Sequence, residues 1–120
     1  MKKIFYLIIA LLVTCVTWSY SFAESSGELT GDARITSGRA ILRGIIVMTD
    51  VTNDATISVY ASNEASGKKL MPTWVINGAS DTGGHGIFFP ERVIESENGI
   101  YVDVTTSGTV SYVVYYDKME

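Results

Sequence analysis

Short apolar and β-branched runs alternate with turn residues from residue 29 to the end of the chain, and this spacing favours β strands. The clusters between the runs are rich in Asn, Asp, Ser and Gly, which bond their own backbone or tolerate positive φ. No apolar repeat of about 3.6 residues persists over two helical turns. The predicted strands are 29–36, 40–49, 56–62, 69–76, 86–89, 92–94, 100–105 and 109–116. The sequence therefore predicts an all-β fold, an antiparallel β-sandwich of jelly-roll or immunoglobulin-like type with about seven short strands.

Two of these strands are apolar on both of their alternating faces. A monomeric sandwich buries one face of each strand and leaves the other in water, so the second apolar face needs a cover. Either the loop 77–86 lies over it or another copy of the chain does, and the small size of the domain favours a homo-oligomer. The predicted interface residues are Ile41, Ile45 and Val47 of one strand or Val113 and Tyr115 of the last, since only one of the two faces need be shared.

The N-terminus has the organisation of a secretory signal peptide. Lys2 and Lys3 precede an apolar run, and Ser21-Phe22-Ala23 places small residues before a cleavage site. We expect cleavage after Ala23 and export to the periplasm, the cell surface or the extracellular space, with membrane contact only through this segment. An uncleaved anchor and a lipoprotein site at Cys15 are the alternatives. The predicted division is a signal peptide over 1–23, a flexible lead-in over 24–28 and a β-sandwich domain over 29–120.

The composition of the exported part excludes several classes of protein. Without Lys2 and Lys3, seven basic residues stand against thirteen acidic ones, a net charge of about −6 that disfavours nucleic acid as a partner. Cys15 is the single cysteine, so the exported part has no disulfide, no thiolate zinc site and no thiol nucleophile. Neither a cofactor motif nor a catalytic motif is present, and the sequence predicts that the protein is not an enzyme.

The residues Trp74, Asp81 and His85 form the candidate ligand surface. Trp74 follows Pro72 in a strand that suits a sheet edge, where an exposed ring stacks on a sugar, although a lone Trp also suits the core. Asp81 and His85 are four residues apart in a glycine-rich loop. A zinc site needs three or four ligands, so a loop histidine without a metal is the simpler interpretation.

Two acidic clusters have alternative interpretations. Asp50, Asn53 and Asp54 supply oxygen ligands for Ca²⁺, but such residues are also the usual turn formers, and no EF-hand spacing is present. Glu91, Glu95 and Glu97 include the residue type of a glycosidase pair, or form a solvated loop that protects a sheet edge.

Five segments of the chain resemble, in their order, a loose group of small β-sandwich proteins encoded in bacteriophages and prophages. They are GRAILRGIIV, TNDATISVYAS, ASGKKL, NGIYVDVTTSG and VSYVVYY, and they cover residues 38–116. The resemblance implies a virion accessory or decoration protein and supplies no catalytic residue. Export differs from the cytoplasmic assembly of most virion proteins.

The sequence thus predicts an exported, non-enzymatic β-sandwich module that acts in structural assembly or binds a surface polymer or a protein partner. The alternatives are a phage virion accessory protein and a secreted carbohydrate-binding module.

Overall fold

Two antiparallel β-sheets pack against each other in the computed structural model, which describes residues 23–50, 52–78, 83–89 and 94–119. The strands are β1 (Glu24–Ser25), β2 (Ala33–Thr36), β3 (Ala40–Thr49), β4 (Ala55–Tyr60), β5 (Trp74–Ile76), β6 (Gly83–Phe88), β7 (Ile94–Ser96), β8 (Ile100–Thr106) and β9 (Val110–Lys118). Across these ranges no helix is long and apolar enough to cross a membrane. The all-β, sandwich-like prediction is confirmed, whereas the jelly-roll or immunoglobulin-like type stays a prediction. The segment expected to be a signal peptide lies outside the described residues, apart from Ala23.

The five-stranded sheet is built around β3, its longest strand. Its order is β1-β9-β3-β6, and β7 pairs with β3 on the side that β6 also occupies. β7 pairs with residues 40–42 of β3, and β6 pairs with residues 44–49. The four-stranded sheet has the order β2-β8-β4-β5. The structure therefore describes nine strands, whereas the sequence predicts about seven.

The core lies between the two sheets and is aliphatic with two tyrosines. It comprises Ala40, Leu42, Ile45, Val47, Ala55, Ile57, Val59, Met71, Ile76, Ile100, Val102, Val110, Tyr112, Val114 and Tyr116. The last four lie on alternate positions of β9, as the period of two in the sequence predicts. The opposite face of β9 therefore carries Val113 and Tyr115.

A β-bulge in β3 changes which residues face the core, and it corrects part of the predicted interface. Leu42 pairs with Tyr116 and Gly44 pairs with Tyr115, so Arg43 is an extra residue between them. Leu42 and Ile45 then both point inward, although strict alternation places them on opposite faces. Ile45 and Val47 are fully buried and belong to the core, so their assignment to the interface is wrong.

The segment predicted as a flexible lead-in includes a short strand that the sequence does not reveal. Glu24 and Ser25 of β1 pair with Tyr116 and Tyr115 of β9. Farther along, Leu29 and Tyr112 exchange two backbone hydrogen bonds of 2.9 Å each. This polar segment has no apolar alternation, because it lies at an edge and contributes little to the core.

Candidate functional site

The outer surface of the five-stranded sheet is apolar where β9, β3 and β6 run side by side. Nine residues form three rows across it, each with one residue from β9, β3 and β6 in that order. The rows are Tyr115, Gly44 and Phe88; Val113, Ile46 and Gly86; and Ser111, Met48 and Gly84. We call these nine residues the apolar face. Met48 is 55% exposed and Phe88 is 56% exposed, so large apolar groups stand in solvent.

Glycine shapes the surface of the apolar face. The ring of Phe88 lies over Gly44, where an added Cβ would stand 2.5 Å from Phe88 Cδ1. The ring centroid of Phe88 is 6.0 Å from that of Tyr115, and the two rings are tilted by 38°. At the other end of the face, a Cβ on Gly84 would stand 3.6 Å from Met48 Cγ. The first row is therefore filled with aromatic rings, whereas the third has one large and flexible side chain.

Charged residues border the apolar face at its aromatic end. At the bulge, Arg43 Nε donates a hydrogen bond of 2.6 Å to Asp117 Oδ2. Arg39 forms a second ion pair, with Glu95 of β7, and this pair raises the pKa of the Arg39 guanidinium. Ile41 lies between these two acids, since it pairs with both Asp117 and Glu95. Ile41, which the sequence predicts as an interface residue, is thus half-buried in a charged border next to the apolar face.

The corresponding surface of the four-stranded sheet is mostly polar, although Val75 of β5, which pairs with Thr56, is 66% exposed on it. It includes Thr56, Ser58 and Tyr60 of β4, and Tyr101, Asp103 and Thr105 of β8. We call these six residues the polar face. The Ser58 hydroxyl lies 3.3 Å from that of Thr73, and Lys69 Nζ donates a 2.6 Å hydrogen bond to Thr73. Burial raises the pKa of Asp103, and the neighbouring Asp32 carboxylate raises it further.

The structure brings together two of the three residues of the candidate ligand surface. Trp74 of β5 and His85 of β6 meet edge to face, with ring centroids 6.4 Å apart and ring planes at 88°. The third residue, Asp81, lies outside the described residues. A shallow groove of about 230 Å³ opens next to Trp74, and we call it the edge groove. It is lined by Met71, Pro72, Thr73, Trp74, Ile87 and Phe89.

The Asx cluster of the first loop makes turn contacts. Asp50 Oδ1 accepts hydrogen bonds from the backbone N–H of Thr52 at 2.8 Å and from its hydroxyl at 2.7 Å. These bonds lower the pKa of Asp50, the hydroxyl having the largest effect. Asn53 Nδ2 donates to the other oxygen of Asp50 at 2.6 Å, and Asp54 accepts from the backbone of Gly78 at 3.1 Å. The calcium interpretation gains no support from this arrangement.

The sequence predicts one side of the apolar face and misses the other. Val113 and Tyr115 lie on it as expected. Ile46, Met48 and Phe88 were missed, because the bulge hides the phase of β3 and because the pairing of β6 with β3 cannot be read from sequence. One signal was available in the sequence. Gly84, Gly86 and Phe88 occupy alternate positions of a short run, and glycine within a strand often marks a place that a neighbouring group approaches closely.

In the described parts of the chain, no three residues of the types His, Cys, Asp and Glu are grouped as a metal site requires. The chain was also compared with known proteins. No family model matches it, and no curated protein matches it. The resemblance to phage-encoded β-sandwich proteins therefore stays a prediction.

Proposed function

We propose that this protein is an exported, non-enzymatic module that acts in structural assembly through its apolar face. The observation that carries the proposal is the contrast between the two outer surfaces of one small sandwich. On the polar face Ser58 contacts Thr73 and Asp103 lies beside Asp32, with the exposed Val75 at its edge, whereas the apolar face exposes Met48 and Phe88 beside Ile46 and Val113. Contiguous exposed apolar patches on soluble proteins mark interaction sites.

The free energy available from this surface is moderate. Burying about 400 Å² of apolar area yields roughly 10 kcal/mol at ~25 cal/mol/Å². Association costs of ~4–15 kcal/mol offset most of this gain. We therefore expect a concentration-dependent association, whose strength depends on the best-packed residues of the face.

Three acidic groups near the apolar face have structural partners, and Glu28 lines an open depression beside Ile46 and Met48. Asp117 pairs with Arg43, Glu95 pairs with Arg39, and Asp50 accepts the hydrogen bonds of its own turn. A general acid or base needs a perturbed pKa and a cleft that holds a substrate. The cavity of about 260 Å³ beside Ile46, Met48 and Val113 is a shallow, open depression. Such a surface suits contact with another protein.

The test is light scattering of the exported protein over a range of concentrations, with one substitution on each outer face. Met48→Glu places a charge where a partner would bury it, and we expect it to abolish association while the circular dichroism spectrum is unchanged. Thr105→Glu on the polar face is the matched control, since Thr105 is also exposed and lies in a strand of the other sheet. A wild-type protein that is monomeric at high micromolar concentration contradicts the proposal, as does equal association in both variants.

Binding of a surface polymer at the edge groove is the second candidate function. Its support is the contact of Trp74 with His85 beside a shallow, largely apolar groove on which a sugar ring could stack. A glycan array distinguishes it from assembly, because sugar binding lost in Trp74→Ala but retained in Met48→Glu would assign function to the groove. The virion accessory alternative is compatible with assembly, and mass spectrometry of the natural N-terminus tests export.

A further inference from the structure

The outer two of the three rows of the apolar face carry side chains of complementary size. The aromatic row, which consists of Tyr115, Gly44 and Phe88, has two large side chains, and the ring of Phe88 also covers Gly44. The low row, which consists of Ser111, Met48 and Gly84, has small residues on its outer strands and a flexible thioether in the centre. Large residues of one row therefore correspond, column by column, to small residues of the other.

We infer that the partner of the apolar face is a second copy of this chain, packed face to face with its strands antiparallel to those of the first. This inference rests on the proposed function and adds the identity and orientation of the partner. The two-fold axis lies in the interface and crosses the strands at the middle row, which consists of Val113, Ile46 and Gly86. The aromatic row of each copy then packs on the low row of the other.

This orientation places every large group of the two outer rows over a small or adaptable one. The Phe88 ring, which lies over Gly44 and extends toward Gly86, faces the flexible Met48 of the second copy, and Tyr115 lies over its Ser111. Met48 of one copy contacts the ring of Phe88 that covers Gly44 in the other copy. A methionine sulfur interacts favourably with an aromatic ring. In the middle row Ile46 and Val113 meet their own equivalents. The usual angle of about 30° between stacked sheets leaves this central pairing intact.

The alternative two-fold axis, parallel to the strands, gives poor packing. It would place Tyr115 over Phe88 of the second copy, large against large. Ser111 would then lie over Gly84, small against small, and leave a gap. Interfaces with native packing density do not combine overlap at one end with a void at the other.

Charge at one end of the face favours the same antiparallel orientation. The exposed Asp50 stands beyond the low row, whereas Arg43, beyond the aromatic row, is already paired with Asp117. In the antiparallel orientation Asp50 of each copy lies near the neutral Arg43–Asp117 pair of the other. With the axis parallel to the strands, Asp50 would face Asp50, which is repulsive.

The size of the face predicts a weak dimer. Three strands at ~4.8 Å spacing and three rows at roughly 6.8 Å cover about 300 Å² of sheet, and protruding side chains raise the buried area to several hundred Å² per copy. A standard stable interface buries about 800 Å² per partner. A dimer that exchanges with monomer at micromolar concentration is the expected state.

The test uses single cysteines in the exported protein, which has no cysteine of its own after cleavage at Ala23. Val113→Cys and Ser111→Cys lie two residues apart on the same face of β9 and form a matched pair. With a short bifunctional maleimide, Val113→Cys should double its covalent mass, because position 113 meets itself across the axis. Ser111→Cys should stay at the monomer mass, because its equivalent is two rows away. Adding Met48→Glu to Val113→Cys should abolish the product.

Each other outcome overturns the inference in a recognisable way. Suppose first that association still depends on Met48. Then the antiparallel orientation is contradicted if both variants cross-link, if neither does, or if only Ser111→Cys does. The proposed function is unaffected by these three results. A protein that scatters light as a monomer and gives no product with either cysteine contradicts the inference and the proposed function together.

Discussion

The two outer surfaces of this sandwich are built from strands of the same kind and differ in what they present to solvent. On the polar face, Ser58 and Asp103 belong to a network with Thr73, Lys69 and Asp32. On the apolar face, glycine and aliphatic residues surround the exposed Met48 and Phe88. Since a solvated sheet face is expected to alternate with polar residues, the polar face has the composition of a surface in water and the apolar face does not. This contrast is the basis for our proposal that the protein assembles through its apolar face.

The largest expected difference concerns two neighbouring residues of β3, one in the core and one on the apolar face. Ile45→Asp places a carboxylate in the core, where an unpaired charge costs ~3–5 kcal/mol or more, a large part of the stability of a small domain. We expect that variant to lose its native circular dichroism spectrum. Ile46→Asp lies on the outer face and should remain folded and become monomeric. If Ile46→Asp unfolds and Ile45→Asp does not, the position of the bulge is wrong.

Two glycines at opposite ends of the apolar face should differ in how their substitution changes the unfolding free energy. In Gly44→Ala the new methyl group would stand 2.5 Å from Phe88 Cδ1 and 2.9 Å from the Ile87 carbonyl oxygen, so the ring must move. We expect this variant to lose ~1–3 kcal/mol of unfolding free energy in urea titrations. Gly84→Ala meets Met48 Cγ at 3.6 Å, an ordinary contact, and should keep or slightly raise that free energy.

The same Gly84→Ala variant separates stability from assembly. Its methyl group fills the low row, where Phe88 of the second copy is expected to pack, so the dimer dissociation constant should rise. Sedimentation at several concentrations measures this change. An unchanged dissociation constant would mean that the low row lies outside the interface.

The smallest expected effect is a pH dependence that originates on the polar face. Because burial and Asp32 raise the pKa of Asp103, the folded state holds that proton more tightly than the unfolded state does. The contribution of Asp103 to stability is therefore complete below its ordinary pKa and is lost as the pH rises through the raised value. Asp103→Asn should flatten this dependence and raise the unfolding free energy at pH 7 by less than about 1 kcal/mol. Urea titrations at pH 4 and pH 7 check it, and Thr105→Ala should retain the wild-type slope.

Sequence reasoning recovers the parts of this fold that local alternation determines. The strands β3, β4, β8 and β9 lie within a residue or two of their predicted positions, and the inward residues of β9 follow from a period of two. The phase of β3 could not be predicted, because a bulge depends on the pairing of neighbouring strands. Ile45 and Val47 were misassigned for that reason alone.

The candidate site was predicted less completely than the fold, for a related reason. The apolar face joins residues from three strands, and the contribution of β6 depends on its pairing with β3 across a long connection. The meeting of Trp74 with His85 depends likewise on β5 and β6 lying at the same side of the sandwich. Such long-range neighbours leave no local pattern in one sequence. The glycines and aromatic residues of the run 83–88 can be read from the sequence, but they do not show with which strand the run pairs.

The most direct test of assembly through the apolar face is a dilution series of backbone amide NMR spectra, which observes both outer surfaces at once. We expect the signals of Ile46, Met48 and Val113 to shift with protein concentration, whereas those of Thr56 and Thr105 stay in place. Signals of the apolar face that do not move up to millimolar concentration, or shifts confined to the polar face, would contradict the claim that the protein assembles through its apolar face.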